Sequence, residues 1–186
     1  MINRSVLMKA HTLLAAFILP VIAMFLVTGA LYTWGVKGGY DVTVHELQIK
    51  KPVQGELNEL MDIAQKTLKK QSIPIPTGQA KIKKIGESFK LEWSGSRIDV
   101  ILEPTSDPLI LKLKIKKASW YRQFVQLHKA KGGEPFKVYA VVLSVVLLAL
   151  LFSGFIMAWQ ISKLQPLTLI FTLLGGVVFI FMVLWS

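Results

Sequence analysis

The chain contains three histidines, and their positions limit the chemistry that it can carry out. His11 lies at the start of a long apolar segment, His45 lies shortly after that segment, and His128 lies shortly before a second one. Imidazole acts as an acid, a base or a ligand of metals and haem iron. The chain has no cysteine, which excludes disulfides, iron–sulfur ligation, thiolate zinc sites and covalent c-type haem attachment. Ligand chemistry would therefore rely on imidazole.

The context of these histidines argues against a hydrolase. HEL at His45 begins like a zinc-protease motif, but position 49 is Ile49, so the second histidine of a helical two-histidine site is missing. The chain also has no serine nucleophile elbow and no GxxxxGK phosphate loop. We therefore expect neither a peptidase nor a nucleotide-driven enzyme.

Three uncharged segments surround the histidines: residues 13–36, 138–161 and 167–185. Each is long enough to cross a hydrocarbon core, which needs about 20 helical residues. The first is too long for a cleaved signal peptide, lacks a small-x-small cleavage site and contains Pro20. The sequence predicts three transmembrane helices, and the absence of charged residues within them argues against autonomous transport.

A water-soluble module separates the first two spans. All eleven acidic residues lie between positions 41 and 134, and nineteen of the twenty-two Lys and Arg residues lie between positions 37 and 137. The module therefore carries a net charge of +8. Because both of its ends enter a bilayer, this charge favours membrane lipid or an acidic protein as partner over nucleic acid.

The short segments that flank the spans predict the orientation. Arg4, Lys9 and Lys163 share one side of the membrane, and positive charges in short loops remain cytoplasmic. Lysines near the module's own helix ends argue for the opposite orientation, but a large domain translocates largely regardless of its charge. We expect the N-terminus in the cytoplasm and the module outside it.

The module has the pattern of a small α+β domain. The stretch GELNELMDIAQKTLKKQ predicts an amphipathic helix, and alternating runs such as FKLEWS and LILKLKIKK predict an antiparallel sheet of three or four strands. Residues 41–50 are a candidate for a further strand. The predicted apolar faces are those of Leu57, Leu60, Met61, Ala64 and Leu68 in the helix and of Leu109, Leu111, Leu113 and Ile115 in the last strand, opposite Lys112, Lys114 and Lys116.

The first two spans end on the same pattern of residues. TGALYTW and SGFIMAW both consist of a hydroxyl residue, a glycine, four residues and a tryptophan. Tryptophan anchors a helix at the membrane surface, glycine permits close approach, and a hydroxyl bonds to its own helix or to another. Chance is the simpler explanation, but a histidine also precedes each span. The repeated positions are Thr28, Gly29 and Trp34, and Ser153, Gly154 and Trp159.

A short aromatic segment connects the module to the second span. Trp120, Phe124 and His128 recur every four residues and line one side of a predicted helix. We expect this helix to lie in the membrane interface, with its aromatic rings at the depth of the headgroups.

The chain resembles a known family over most of residues 4–160. The resemblance lies in KAHTLLAAFILP leading to TGALY, in LNELMDIAQKTLKK with KLEWSGSRIDVILEP, and in QLHKAKGG before SGFIMAW. These stretches are similar to PepSY-associated transmembrane proteins of bacterial cytoplasmic membranes, in the small form with one PepSY domain and three helices. The resemblance implies a membrane α-helical protein with an inserted periplasmic α+β domain, a helix packed on an antiparallel sheet.

The resemblance also implies candidate functions. Larger members look like siderophore or ferric reductases whose helix-borne histidines bind b-type haem, and soluble PepSY domains resemble propeptides of thermolysin-type proteases. His11 and His128 are expected at opposite ends of the spans, about 30 Å apart, so one chain would not place both on one haem. A homodimer could pair each with its copy, or His128 could pair with His45. Interfacial caps and another metal are the alternatives.

Two functions remain open. One is a partner-binding accessory subunit of an iron-uptake or envelope redox system in the inner membrane, whose partner is another membrane or periplasmic protein or a second copy. The other is a b-haem electron-transfer subunit; neither assigns a catalytic residue. The predicted organisation is 1–36 N-terminus and first span, 37–118 PepSY-like domain, 119–135 interfacial helix and linker, 136–161 second span, 162–166 cytoplasmic loop and 167–186 third span.

Overall fold

The structure is a computed structural model, and it describes residues 3–86 and 88–186. Long apolar helices precede and follow a mixed helix and sheet region. In chain order the elements are α1 (Arg4–Thr33), β1 (Tyr40–Gln48), α2 (Leu57–Lys70), β2 (Ala80–Ile85), β3 (Ser88–Ser94), β4 (Ile98–Pro104), β5 (Ile110–Ala118), α3 (Trp120–His128), α4 (Glu134–Trp159) and α5 (Gln165–Trp185).

Helices α1, α4 and α5 are each long and apolar enough to cross a membrane. Most of their large apolar side chains are exposed, which is the pattern of helices that contact lipid. Helix α1 continues through Pro20, and apolar helices tolerate such a proline more readily than helices in water do. The three apolar helices that the sequence predicts are confirmed.

The five strands form one antiparallel sheet in the order β1-β5-β4-β3-β2. Strands β2 to β5 follow one another as a meander, and β1 adds a fifth strand beside β5. The α+β prediction is confirmed, with residues 40–48 as the additional strand.

Helix α2 covers one face of this sheet. Leu60, Ala64 and Leu68 recur at helical spacing and are fully buried, while Leu57 and Met61 are partly buried against the same core. Burying each large aliphatic side chain contributes about 1.5–3 kcal/mol, so this face fixes the position of α2. The sheet contributes Leu91, Trp93, Ile98, Val100, Leu102, Leu111, Leu113 and Ile115.

The predicted core position at Leu109 is wrong. Leu109 lies one residue before β5 and is 44% exposed. Its backbone N–H donates to the side chain of Asp107 at 2.8 Å, so this residue belongs to the turn rather than to the strand. The alternation of apolar and basic residues extends one position beyond the strand itself.

The chain divides into two compact units. One contains the residues up to Val21 together with residues 141–186, and the other contains residues 22–140, which include the sheet. Each unit contains one of the two histidines that precede an apolar span.

Candidate functional site

In the unit that contains the sheet, a histidine joins the end of α3 to the last turns of α1. The hydroxyl of Ser119 caps α3 by accepting from the backbone N–H of Arg122, and the helix ends at His128. The Nδ1 atom of His128 lies 2.9 Å from Oγ1 of Thr28. The imidazole also packs on the ring of Phe25, with 4.9 Å between centroids.

The hydroxyl of Thr28 determines which nitrogen of His128 carries the proton. It donates its single proton to the backbone oxygen of Met24 at 2.6 Å. The same oxygen must therefore accept from His128, so Nδ1 carries a hydrogen. In the neutral imidazole Nε2 is then a free acceptor, and it has no hydrogen-bond partner within residues 3–86 and 88–186.

The other unit contains the same arrangement. Nδ1 of His11 lies 2.8 Å from Oγ of Ser153, and this hydroxyl donates to the backbone oxygen of Leu150 at 3.0 Å. Nδ1 of His11 is therefore also bonded to a hydroxyl, and the same assignment places its hydrogen on Nδ1 when Ser153 donates to Leu150. In both units, the hydroxyl of the repeated pattern forms a hydrogen bond with a histidine that belongs to a different helix.

The glycine of each pattern leaves room for the imidazole. A Cβ atom at Gly29 would lie 3.2 Å from Cε1 of His128, whereas a Cβ at Gly154 would lie 3.7 Å from Cε1 of His11. The first distance is tighter than nine in ten real contacts of a Cβ, and the second is ordinary. Glycine is therefore needed more strictly at position 29 than at position 154.

A pocket of about 300 Å³ opens beside His128. Thr28 and Gly29 form part of its wall, and the ring of Tyr32 forms another part. Two ammonium groups stand near this ring, Nζ of Lys37 at 5.3 Å and Nζ of Lys129 at 5.6 Å from its centroid. The remaining lining residues are Thr33, Val125, His128 and Lys129.

A buried polar network fastens α3 to the sheet. The side-chain N–H of Gln126 donates to the hydroxyl of Tyr40 at 2.8 Å and to Asp99 at 3.1 Å. Tyr40 itself donates to Asp99 at 2.8 Å. Arg122 stands 4.7 Å from the centroid of the Tyr40 ring. Burial raises the pKa of Tyr40, and Arg122 and Asp99 act in opposite directions, the first lowering and the second raising it.

His45 occupies a different environment. It pairs with Leu113 across the sheet and therefore lies on the face that α2 covers. Its Nε2 is buried without a hydrogen-bond partner, and no contact joins it to His128 in the part of the chain that the structure describes. That part also contains no cluster of three or more His, Asp or Glu residues arranged to hold a metal.

The predicted anchoring aromatics are exposed to differing degrees. Trp34 follows α1 and is 87% exposed, and Trp120 is 75% exposed with its ring against the edge of Phe124. Trp159 stacks on Phe155 with 5.7 Å between centroids. These rings are available to lipid, and their place in a membrane interface stays a prediction.

The sheet face opposite α2 carries charged side chains, and two of its lysines pair with glutamates. Lys114 pairs with Glu103 at 2.6 Å, and Lys90 pairs with Glu92 at 2.5 Å. A hydrogen bond from Lys90 lowers the pKa of Glu92. One lysine of the last strand, Lys114, therefore pairs with a carboxylate on the neighbouring strand, which the pattern of the last strand alone does not reveal.

The two edges of the sheet differ in chemistry. Strand β2 carries lysines at three of its six positions, Lys81, Lys83 and Lys84. Strand β1 exposes two apolar side chains, Val42 at 49% and Val44 at 48%. These valines lie directly across from Lys116 and Lys114 of β5. Neither the contrast between the edges nor the Tyr40 network was predicted from the sequence.

Comparison with known proteins identifies the family. No curated protein and no solved structure matches the chain. A family model described as the PepSY-associated TM region matches residues 2–161. This match includes all three histidines, both repeated patterns, the sheet and the first two apolar helices. The protein therefore belongs to the family defined by the PepSY-associated transmembrane region.

Proposed function

We propose that this protein is a non-catalytic, membrane-anchored subunit that binds a partner protein through its PepSY domain. The short-loop charges at Arg4, Lys9 and Lys163 support an orientation with the domain in the periplasm of a bacterial cytoplasmic membrane. The role as an accessory of an iron-uptake or envelope redox system rests on the resemblance to reductases alone.

The apolar outer edge of β1 carries this proposal. An open strand edge offers unpaired N–H and C=O groups to another chain, and proteins commonly protect such edges with lysine. Strand β2 has this protection, with Lys81, Lys83 and Lys84. Strand β1 instead exposes Val42 and Val44. The β2 edge is therefore protected by charge against pairing with another strand, whereas the β1 edge is suited to it.

The chemistry beside β1 defines the partner. Strand addition gives affinity through main-chain hydrogen bonds and selectivity through alternate side chains. The exposed valines favour apolar side chains, and Lys116, across from Val42, favours a carboxylate. The partner is therefore a protein with an extended segment in which apolar and acidic residues alternate.

Site-specific photo-crosslinking in intact cells tests this surface. A photoreactive phenylalanine at Val44 should give one defined adduct, whereas the same probe at Lys66, on the exposed side of α2, should not. Val42→Lys, which copies the protection of β2, should abolish the adduct. Equal labelling from both probe positions, or an adduct that survives Val42→Lys, would refute strand addition at β1.

A b-haem electron-transfer subunit is the second candidate, and the two histidine sites favour it. Metal-ligating histidines commonly bond their second ring nitrogen to a protein group, and Nδ1 of both His11 and His128 lies within hydrogen-bond distance of a hydroxyl. The described contacts of His128 are Thr28, Gly29 and Phe25. Within the described part of the chain no other histidine contacts His128, so for ligation by two histidines this candidate pairs His128 with its copy in a second chain.

An absorption spectrum of the protein in mild detergent separates the two candidates. The haem candidate predicts a Soret band that disappears in His128→Asn or His11→Asn. Asparagine keeps an N–H that can donate to Thr28 or Ser153 but removes Nε2, so the fold should persist. The accessory candidate predicts no Soret band in the wild type, with both variants folded.

A further inference from the structure

The pocket beside His128 combines two kinds of recognition group. It is lined by apolar and hydroxyl groups of α1, by His128 and by Lys129, and has a volume of about 300 Å³. Its residues belong to the final turns of an apolar helix and to the end of α3. The ends of membrane helices lie where phosphate headgroups meet water, and this location indicates the class of ligand.

Two cations stand near this pocket: Lys129 lines it, and Lys37 approaches the ring of Tyr32 without being part of the lining. Lys37 and Lys129 both approach the ring of Tyr32, at 5.3 and 5.6 Å from its centroid. Neither lysine forms an ion pair with Asp or Glu in the described part of the chain. Among residues 3–86 and 88–186, no acidic side chain lines the pocket. An anion placed here would meet the positive charge of Lys129, with that of Lys37 beside the same tyrosine ring.

The imidazole supplies a different preference. Because Thr28 fixes the hydrogen on Nδ1, neutral His128 presents Nε2 as an acceptor. A phosphate diester has no proton to donate to it, but a hydroxyl group does. Nε2 lies near the wall at Gly29, whose added Cβ would be 3.9 Å from it. A ligand that satisfies the whole pocket therefore carries both an anion and a hydroxyl.

We propose that this pocket binds a phosphodiester whose headgroup carries a free hydroxyl, the chemistry of a phosphatidylglycerol headgroup. The phosphate pairs with Lys129 in the pocket wall, with Lys37 beside the same tyrosine ring, and the headgroup hydroxyl donates to Nε2 of His128. This site is separate from the β1 edge, so either proposal can fail without the other.

Native mass spectrometry of the purified full chain tests the proposal with three lipids. Phosphatidylglycerol and phosphatidylmethanol carry the same charge, but only the first has headgroup hydroxyls, and phosphatidylcholine has no net charge. We expect retention to fall in the order phosphatidylglycerol, phosphatidylmethanol, phosphatidylcholine. One surface lysine contributes about fivefold to the binding of an anionic lipid, so Lys129→Gln should weaken both anionic lipids by about that factor.

Variants separate the two recognition groups. His128→Asn keeps a donor for Thr28 and removes Nε2, so it should erase the preference for phosphatidylglycerol over phosphatidylmethanol while the thermal midpoint stays close to that of the wild type. Lys70→Gln, at the exposed end of α2, is the charge-matched control and should change neither lipid. Glycerophosphoglycerol, the headgroup without acyl chains, displaces the lipid only if a soluble headgroup is a sufficient ligand.

Two results would overturn the proposal. Equal retention of phosphatidylglycerol and phosphatidylmethanol by the wild type would show that no hydroxyl is recognised. An equal loss of anionic lipid in Lys70→Gln and Lys129→Gln would show that only the overall charge matters.

Discussion

Alanine at Gly29 tests the link between the repeated pattern and the histidines. The added Cβ would lie 3.2 Å from Cε1 of His128, so the ring must retreat by a few tenths of an ångström. The bond from Nδ1 to Thr28, now 2.9 Å, would then reach or exceed the usual limit of about 3.2 Å. Gly154→Ala is the matched control, because its Cβ would make an ordinary contact at 3.7 Å with His11.

The expected difference between the two variants is about 1 kcal/mol. Interhelical hydrogen bonds in membrane proteins contribute about 0.6 kcal/mol on average and about 1.7 kcal/mol at most. Replacing a helical glycine with alanine favours the helix by up to about 1 kcal/mol in water, but this gain applies to both variants and cancels in their comparison. Gly154→Ala should be neutral or stabilising, and Gly29→Ala should be less stable than it.

Thermal unfolding in one detergent measures this difference. For a chain of this length, about 1 kcal/mol corresponds to about 2–4 °C in the unfolding midpoint. In a Thr28→Val background, where the bond is already absent, Gly29→Ala should lose most of its penalty. Equal midpoints for Gly29→Ala and Gly154→Ala, or an unchanged penalty in that background, would refute the proposed role of the glycine.

Three further predictions concern other parts of the molecule. Nitrogen NMR of histidine-labelled protein, recorded at a pH at which imidazole is neutral, should show hydrogen on Nδ1 of His11 and His128, and signals of the Nε2–H form would contradict the assigned networks. Tyr40→Phe should destabilise the protein by about 1–3 kcal/mol, because it removes a buried hydroxyl from a polar network. Because burial raises the pKa of Tyr40, wild-type stability should fall as the pH rises above the unfolded pKa of about 10, and the Phe variant should lack this component. Trp120→Ala combined with Phe124→Ala should increase protease cleavage within residues 116–136, and unchanged cleavage would argue against an interfacial α3.

The length of the uncharged apolar segments was sufficient to predict the membrane helices, and periodicity was sufficient to predict the α+β domain. Lipid-facing helices have no polar face, and α2 repeats Leu60, Ala64 and Leu68 on one side. Each of these patterns lies within one continuous stretch of sequence and can be recognised there. The error at Leu109 also arises from relying on a local pattern, because the alternation of apolar and basic residues does not show where the strand ends and the turn begins. A side-chain bond to Asp107 decides that point.

The polar network around Tyr40 could not be predicted in this way. Gln126 and Tyr40 are 86 positions apart in the chain, and no motif joins them to Asp99. A fully buried glutamine is uncommon, and Gln126 is fully buried. The sequence alone places Gln126 next to aromatic and apolar residues of α3, where an exposed position is the ordinary expectation.

The residues of the repeated pattern could be predicted from the sequence, but the contacts that they make depend on the tertiary structure. The residues Thr28, Gly29, Ser153 and Gly154 are recognisable by spacing, but their partners are not. Helices in lipid gain little from hydrophobic burial against one another, so polar contacts and close packing determine how they associate. Any side chain with an N–H donor, including asparagine, could form such a polar contact between helices, whereas histidine also carries a second ring nitrogen, Nε2. The use of histidine in both units therefore makes Nε2 the atom whose removal best separates a structural contact from a ligand site.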